Sequence, residues 1–198
     1  VLPPKLASTQ VVIVPILFDK TREKVMAEAE KIYSGLQENI LVHLDDREDY
    51  SPGWKFNEWE VKGIPVRIEI GPRDLEKKQV TLVRRDTGEK KAVALNKVDD
   101  EVVSLLDKIQ SNMLKNAGKV LKDSIVKVEK FSEAKKAIKE KKIVFAPWCG
   151  LPSCEEDFKD KVAGAKSLNS PFKQPAVPNK CFNCVKKAQY WFYFGKSY

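Results

Sequence analysis

The sequence is poor in histidine: His43 is the only one in 198 residues. It falls inside Leu41 to Leu44, a run that reads as a strand, so a structural role is expected for it rather than catalysis. Long apolar runs are also missing. None approaches the roughly 20 residues that span a bilayer, and no secretory leader is visible, so no membrane partner is expected. Cysteine is absent from the first three quarters of the chain. All four, Cys149, Cys154, Cys181 and Cys184, lie in the last quarter. In a lysine-rich chain without a leader, that clustering reads as a metal site rather than as disulfides. No internal repeat or low-complexity tract stands out. The first residue is Val1 rather than methionine, and Pro3-Pro4 follow; a start of this kind reads as a piece of something longer.

What is present suits a soluble globular protein: 42% hydrophobic and 32% charged residues, at a length that fits one large domain or two small ones. The formal net charge is +8 and the pI about 9.2. A basic surface favours nucleic acid through phosphate neutralisation and counterion release, although charge alone does not identify a partner.

Val11 to Leu17 is an almost continuous apolar run and reads as a buried strand. Thr21 to Glu38 follows as an amphipathic helix with Thr21 as N-cap and Val25, Ala29, Ile32 and Leu36 on one face. With Leu41 to Leu44 this makes a β-α-β unit and a parallel strand pair. Asp45 to Gly53 reads as a polar loop and Trp54 to Lys62 as a short helix ended by Gly63. Val66, Ile68 and Ile70 alternate with Arg67 and Glu69, which predicts a strand with one apolar face. Pro72 opens a short helix. Gln79 to Arg85 and Lys91 to Leu95 predict a hairpin around Asp86-Thr87-Gly88-Glu89. A long helix spans about Asp99 to Leu121. A composition shift near Lys122 to Lys130 sets the expected boundary, giving domains 1–122 and 123–198. The second domain reads as a helix (Phe131 to Glu140), a strand (Ile143 to Ala146), a cysteine loop and a helix (Cys154 to Val162). Irregular chain then leads to the aromatic run Tyr190 to Phe194, expected as a buried strand.

The densest unusual chemistry lies between Arg47 and Asp74. Phe56 and Glu60 sit four apart on one helix face, and Arg67 and Glu69 project from one face of the next strand. Arg73 and Asp74 lie just beyond that strand. Side by side, these elements bring an aromatic ring and several charged groups to one shallow surface. An unpaired base needs a ring to stack on. Guanine presents two donors on its Watson–Crick edge for a carboxylate such as Glu60 or Asp74. It also presents O6 and N7 for an arginine such as Arg67 or Arg73. Which residue meets which base stays open, and the bland alternative is that Phe56 and Trp59 are core and the charges form surface ion pairs.

Cys149 and Cys154 are separated by four residues, Cys181 and Cys184 by two, and the two pairs by 26. This spacing suits a closed, structural Cys₄ zinc site. Trp148-Cys149-Gly150 resembles the entry to a thioredoxin active site, but position 152 is Pro, where that chemistry needs a second cysteine.

Asp49 to Glu60, Val61 to Arg67 and Glu69 to Asp74 together resemble the anticodon-binding domain of prolyl-tRNA synthetases of the archaeal and eukaryotic-like type. Val83 to Lys90, Gly164 to Leu168 and Phe194 to Tyr198 extend the resemblance over essentially the whole chain. It implies a mixed five-stranded sheet flanked by helices, the anticodon-binding fold of class II synthetases, followed by a small α+β zinc-binding domain. It also implies reading of the two guanines shared by proline anticodons through Phe56, Glu60, Arg67, Arg73 and Asp74, with Lys55 and Arg47 as further candidates for phosphate. Some members have Lys at the position of Arg73, and only Arg offers the planar fork. The implied partners are the tRNA for proline and an upstream catalytic domain of the same polypeptide, with a homodimer in the full, cytoplasmic enzyme. ATP and Mg belong to that catalytic domain. No stretch here resembles its ATP-binding motifs, so the chain alone is expected to be inactive in aminoacylation. Tyr198 matches a terminal tyrosine that packs toward the catalytic domain. Rival readings are a stand-alone RNA-binding module with a structural zinc site and a thiol–disulfide enzyme.

Overall fold

The structure, a computed structural model, describes residues 1–196; the expectation for Tyr198 lies outside the described residues. The chain divides into two compact units, Val1–Asn116 and Ala117–Tyr198.

The first unit is built on a five-stranded sheet in the order β2-β1-β3-β4-β5. Its strands are β1 (Val11–Pro15), β2 (Val42–Leu44), β3 (Val66–Ile70), β4 (Gln79–Arg84) and β5 (Lys90–Ala94). β1 pairs in parallel with β2 and β3, whereas β3–β4 and β4–β5 are antiparallel, so the sheet is mixed. Helix α1 (Arg22–Leu36) connects β1 to β2, and α2 (Pro52–Val61) connects β2 to β3. Because β2 and β3 flank β1 on opposite sides, the chain reverses direction across the sheet at β1. In open α/β sheets such a switch point opens a crevice at the carboxyl ends of the strands.

Both sheet faces are covered. Val11, Ile13, Val66, Ile68 and Ile70 pack with Val25, Ala29, Ile32 and Leu36 of α1 and with Val102, Leu106 and Ile109 of α4 (Val98–Ser124). Each of the Val, Leu and Ile side chains among them stabilises the fold by about 1.5–3 kcal/mol through burial. On the other face Val12 and Val14 meet Trp59 and Ile64, with Phe56 of α2 against them. The alternation in Val66 to Ile70 predicts one wet face, yet all five residues are buried. α2 lies over this side of the sheet, and Arg67 and Glu69 satisfy each other's charge beneath it.

α2 is fixed at both ends. Ser51 is its N-cap and accepts from the Trp54 N–H at 3.3 Å, and Pro52 occupies the first turn, so the helix begins two residues before Trp54. Beyond its end Gly63 adopts φ +79°, and a Cβ there would come within 3.1 Å of Leu2. α3 (Pro72–Glu76) starts immediately after β3, capped by Asp74, whose carboxylate accepts from the Gly71 N–H at 3.0 Å. The division between the units falls within α4, between Asn116 and Ala117, ahead of the composition shift at 122–130.

The second unit has a four-stranded sheet in the order β6-β7-β9-β8, with β6 (Ile125–Lys127), β7 (Ile143–Trp148), β8 (Ala165–Ser167) and β9 (Tyr190–Lys196). α5 (Phe131–Lys139) is the crossover between parallel β6 and β7, and α6 (Pro152–Lys161) follows β7. Val144, Ala146 and Phe194 pack against Ala134, Ala137 and Ile138 of α5 and Phe158 of α6. On the opposite face the Phe145 ring stacks on Trp191 (4.8 Å) and Tyr193 (4.6 Å). Within the expected buried aromatic run, Trp191 and Phe194 are buried and Tyr190 is exposed. No described helix is long and apolar enough to cross a membrane.

Candidate nucleic-acid interface

The sequence-predicted residues fall into three groups. The first joins α2 to β3. The Arg67 guanidinium lies over the half-buried Phe56 ring, 4.1 Å from its centroid. It donates to Glu60 at 3.0 Å and twice to Glu69, at 3.0 and 2.9 Å. Lys90 of β5 closes the set with two 3.3 Å contacts to the Glu69 carboxylate. Three of the five guanidinium N–H donors are therefore used and two remain. Beside this network is a groove of about 210 Å³ bordered by Glu60, Arg67, Arg85 and Lys90. Phe56, Glu60 and Arg67 thus meet as their spacing predicts. Glu69 was placed beside Arg67 by strand alternation but not named as a site residue, and Lys90 gave no signal, because it lies two strands away on β5.

The second group lies at the carboxyl ends of β1 and β3, at the switch point. Arg73 is exposed and forms no ion pair among the described residues. Asp74 spends one carboxylate oxygen on the helix cap. Both border a groove of about 770 Å³ with Ile16, Phe18 and Gly71. The structure places no contact between this pair and the Phe56–Arg67 group. The two sets border separate grooves, whereas the sequence suggested one convergent surface.

The third group holds Lys55 and Arg47, the further candidates for phosphate. Lys55 is only 2% exposed; its ammonium donates to the Asp45 carbonyl at 3.0 Å and lies 3.6 Å from the Asp45 carboxylate. That charge is directed inward. Arg47 is bidentate on Asp45, at 2.9 and 2.7 Å, and also pairs with Glu58. Asp45 is the centre of this group. It is fully buried and accepts from Trp59 Nε1 at 2.7 Å as well. Burial pushes its carboxyl up, but hydrogen bonds from Arg47 and Trp59 and the charges of Lys55 and Arg47 outweigh that and hold it well below the usual carboxylate range. His43 packs its ring against Trp59, 4.9 Å between centroids, in agreement with a structural role.

In the second unit Cys149, Cys154, Cys181 and Cys184 converge, with all four sulfur atoms within 4.8 Å of one another. All four are free thiols. Cys154 lies 3.8 Å from Cys181 and Cys184 lies 3.7 Å from Cys149, so the close pairs form across the two loops. A tetrahedral site with metal–sulfur bonds of about 2.3 Å has sulfur–sulfur edges of about 3.8 Å, which is the spacing of these two pairs. Asn183 steadies the site by donating to the Cys154 carbonyl at 2.9 Å and to its sulfur at 3.4 Å. Burial pushes the Cys154 thiol up, with Asn183 opposing it. A central cation reverses this preference by stabilising the thiolate. The four cysteines can hold a metal ion.

Fold and grooves together define a class: a mixed α/β module with an aromatic–arginine–carboxylate cluster on the sheet and a crevice at its switch point, of the anticodon-binding type. Comparison with known proteins agrees. Residues 10–105 match the family model for the anticodon binding domain, and residues 131–198 match that for the prolyl-tRNA synthetase C-terminal domain. Over its full length the chain is 45% identical to proline–tRNA ligase 2 of Bacillus cereus and 43% identical to the cytoplasmic proline–tRNA ligase of Arabidopsis thaliana. It is 42% identical to proline–tRNA ligase of Pyrobaculum islandicum. It covers 41%, 39% and 42% of these proteins, respectively. The chain belongs to the prolyl-tRNA synthetase family and spans about two fifths of the length of the relatives it matches.

Proposed function

We propose that this chain reads the anticodon of proline tRNA as part of a proline–tRNA ligase. The observation that carries this reading is the Phe56–Arg67–Glu60 cluster, a half-buried ring beneath a guanidinium that is tied to a partly exposed carboxylate. A guanine can stack there while an acceptor and unused N–H donors face its edges. Arg73 and the second oxygen of Asp74 provide the same chemistry in the groove at the switch point, which makes two sites for two guanines. Arg67 is already held by Glu60 and Glu69, so little ordering of it is required on binding.

The contribution is recognition rather than chemistry. The ATP- and Mg-dependent attachment of proline, the homodimer and the cytoplasmic setting belong to the whole enzyme as this reading assigns it, with catalysis outside the present sequence. The metal is zinc: four soft thiolates at tetrahedral spacing fill its coordination and leave no position for substrate, so the ion is structural.

Replacing the ring or the fork tests the reading. Phe56→Ala and Arg67→Ala are each expected to weaken binding of a proline-tRNA anticodon hairpin by about 1–3 kcal/mol, measured by titration at fixed salt. Unchanged affinity in both folded variants would remove the proposal's main support.

A further inference from the structure

In the first unit the exposed large aromatic side chains are Phe18 (63% exposed), Tyr50 (41%) and Trp54 (44%). All three gather at the carboxyl ends of β1 and β2, where exposed rings have no core to stabilise. Tyr50 and Trp54 stack face to face, with centroids 3.9 Å apart and planes 15° from parallel. The Arg47 guanidinium lies against both rings, at 5.0 Å and 5.5 Å. The same guanidinium is bidentate on buried Asp45, and Ser51 caps the helix that carries Trp54. The stack is therefore held by Arg47, and both rings stay partly exposed to solvent. A groove of about 320 Å³ runs beside it, bordered by Phe18, Tyr50, Arg22 and Arg47 and by the carboxylates of Asp19, Glu48 and Asp49. Phe18 and Asp19 also border the groove of Arg73 and Asp74, so the two grooves adjoin.

We propose that the Tyr50–Trp54 stack, held by Arg47, is a sequence-tolerant platform for a third unpaired base, the one on the 5′ side of the two guanines. This rests on the anticodon reading above. A π-face accepts any base, whichever polar groups surround it. Proline codons differ only in their third base, so the corresponding first base of the anticodon varies. A site that must accept all four bases has to bind by stacking rather than by reading an edge, and this platform has that chemistry. Two neighbouring grooves that share Phe18 suit consecutive nucleotides.

The test uses the whole chain and anticodon-loop RNA hairpins that carry the two guanines. The base 5′ of them is varied among all four and then replaced by an abasic site. The four bases are expected to bind within about threefold of one another, whereas the abasic hairpin loses roughly five- to a hundredfold, the range of one base–aromatic stack. Trp54→Ala is expected to weaken the intact hairpins similarly while leaving the abasic one unchanged, and Trp54→Phe is expected to retain most of the affinity. Unfolding midpoints of the variants show whether they are folded. No penalty for the abasic site, with discrimination against guanine replacements retained, overturns the platform and leaves the guanine reading intact. A penalty for an abasic site on the 3′ side alone overturns the assignment to the 5′ base. Loss of guanine discrimination as well overturns both.

Discussion

At the scale of single residues, the site is organised by a carboxylate that contacts no ligand. Asp45 holds Arg47, Lys55 and Trp59 together at the start of the loop that leads into α2. Replacing it with Asn leaves buried Lys55 without its counter-charge and Arg47 with Glu58 alone. Asp45→Asn is expected to lower stability at pH 7 by about 3–5 kcal/mol, measured by denaturant unfolding. The pH dependence has a definite sign. The carboxyl is held below its unfolded value of about 3.9, so its contribution is complete above that pH and is lost as pH falls toward the folded value. The gap between wild type and Asp45→Asn should therefore narrow below pH 4. Lys55 shows what the sequence offered and what it hid. Its cationic head reads as a surface contact, yet Lys55 and Trp59 stand four apart on one helical face, and Trp59 is core. Helical spacing carried that signal. Asp45 gave none, because its importance comes from partners brought together only by the fold.

At the scale of elements, long periodic segments were legible, as were short ones marked by turn residues such as β2 and α3, whereas two short strands were not. The order of strands and helices through the first unit follows from apolar spacing and turn residues. β6 and β8 escaped notice because three residues carry almost no periodicity, and their existence depends on pairing with β7 and β9. The buried polar face of β3 was hidden for a related reason: alternation tells which residues share a face, but only α2 decides whether that face is wet. The cap of α2 can be tested separately. Ser51→Ala is expected to cost about 0.5–2 kcal/mol. It should also weaken hairpin binding, since the first turn of α2 carries Trp54 and Phe56; thermal unfolding and titration report the two effects. In the second unit the cysteines clip the loop after β7 to the segment before β9. Removal of the metal by a chelator is expected to release four titratable thiols and to lower the unfolding midpoint of that unit. A chain that keeps its midpoint after complete metal removal would contradict a structural role.

At the scale of the whole molecule, the charge is unevenly shared. The second unit has 17 lysines against eight carboxylates, a net +9, while the first has 19 basic and 20 acidic residues, a net −1. The basic pI that favours nucleic acid at the level of composition therefore does not come from the unit that holds the proposed anticodon site. Discrimination there must arise from stacking and directed hydrogen bonds. The affinity ratio between cognate and guanine-substituted hairpins is accordingly expected to change less than about twofold between 50 and 200 mM salt, even where absolute affinity falls. Composition could not reveal this division, because it sums over both units. The family itself was legible because its motifs are long and collinear, so their agreement did not depend on any single residue.

The surfaces around Phe56 and Arg73 are proposed to hold two unpaired guanines. The most direct measurement is titration of this chain with an anticodon hairpin of proline tRNA and with two others, each with one guanine replaced by adenine. The claim predicts a loss of about 1–3 kcal/mol for each replacement. Equal affinity for all three hairpins would contradict it.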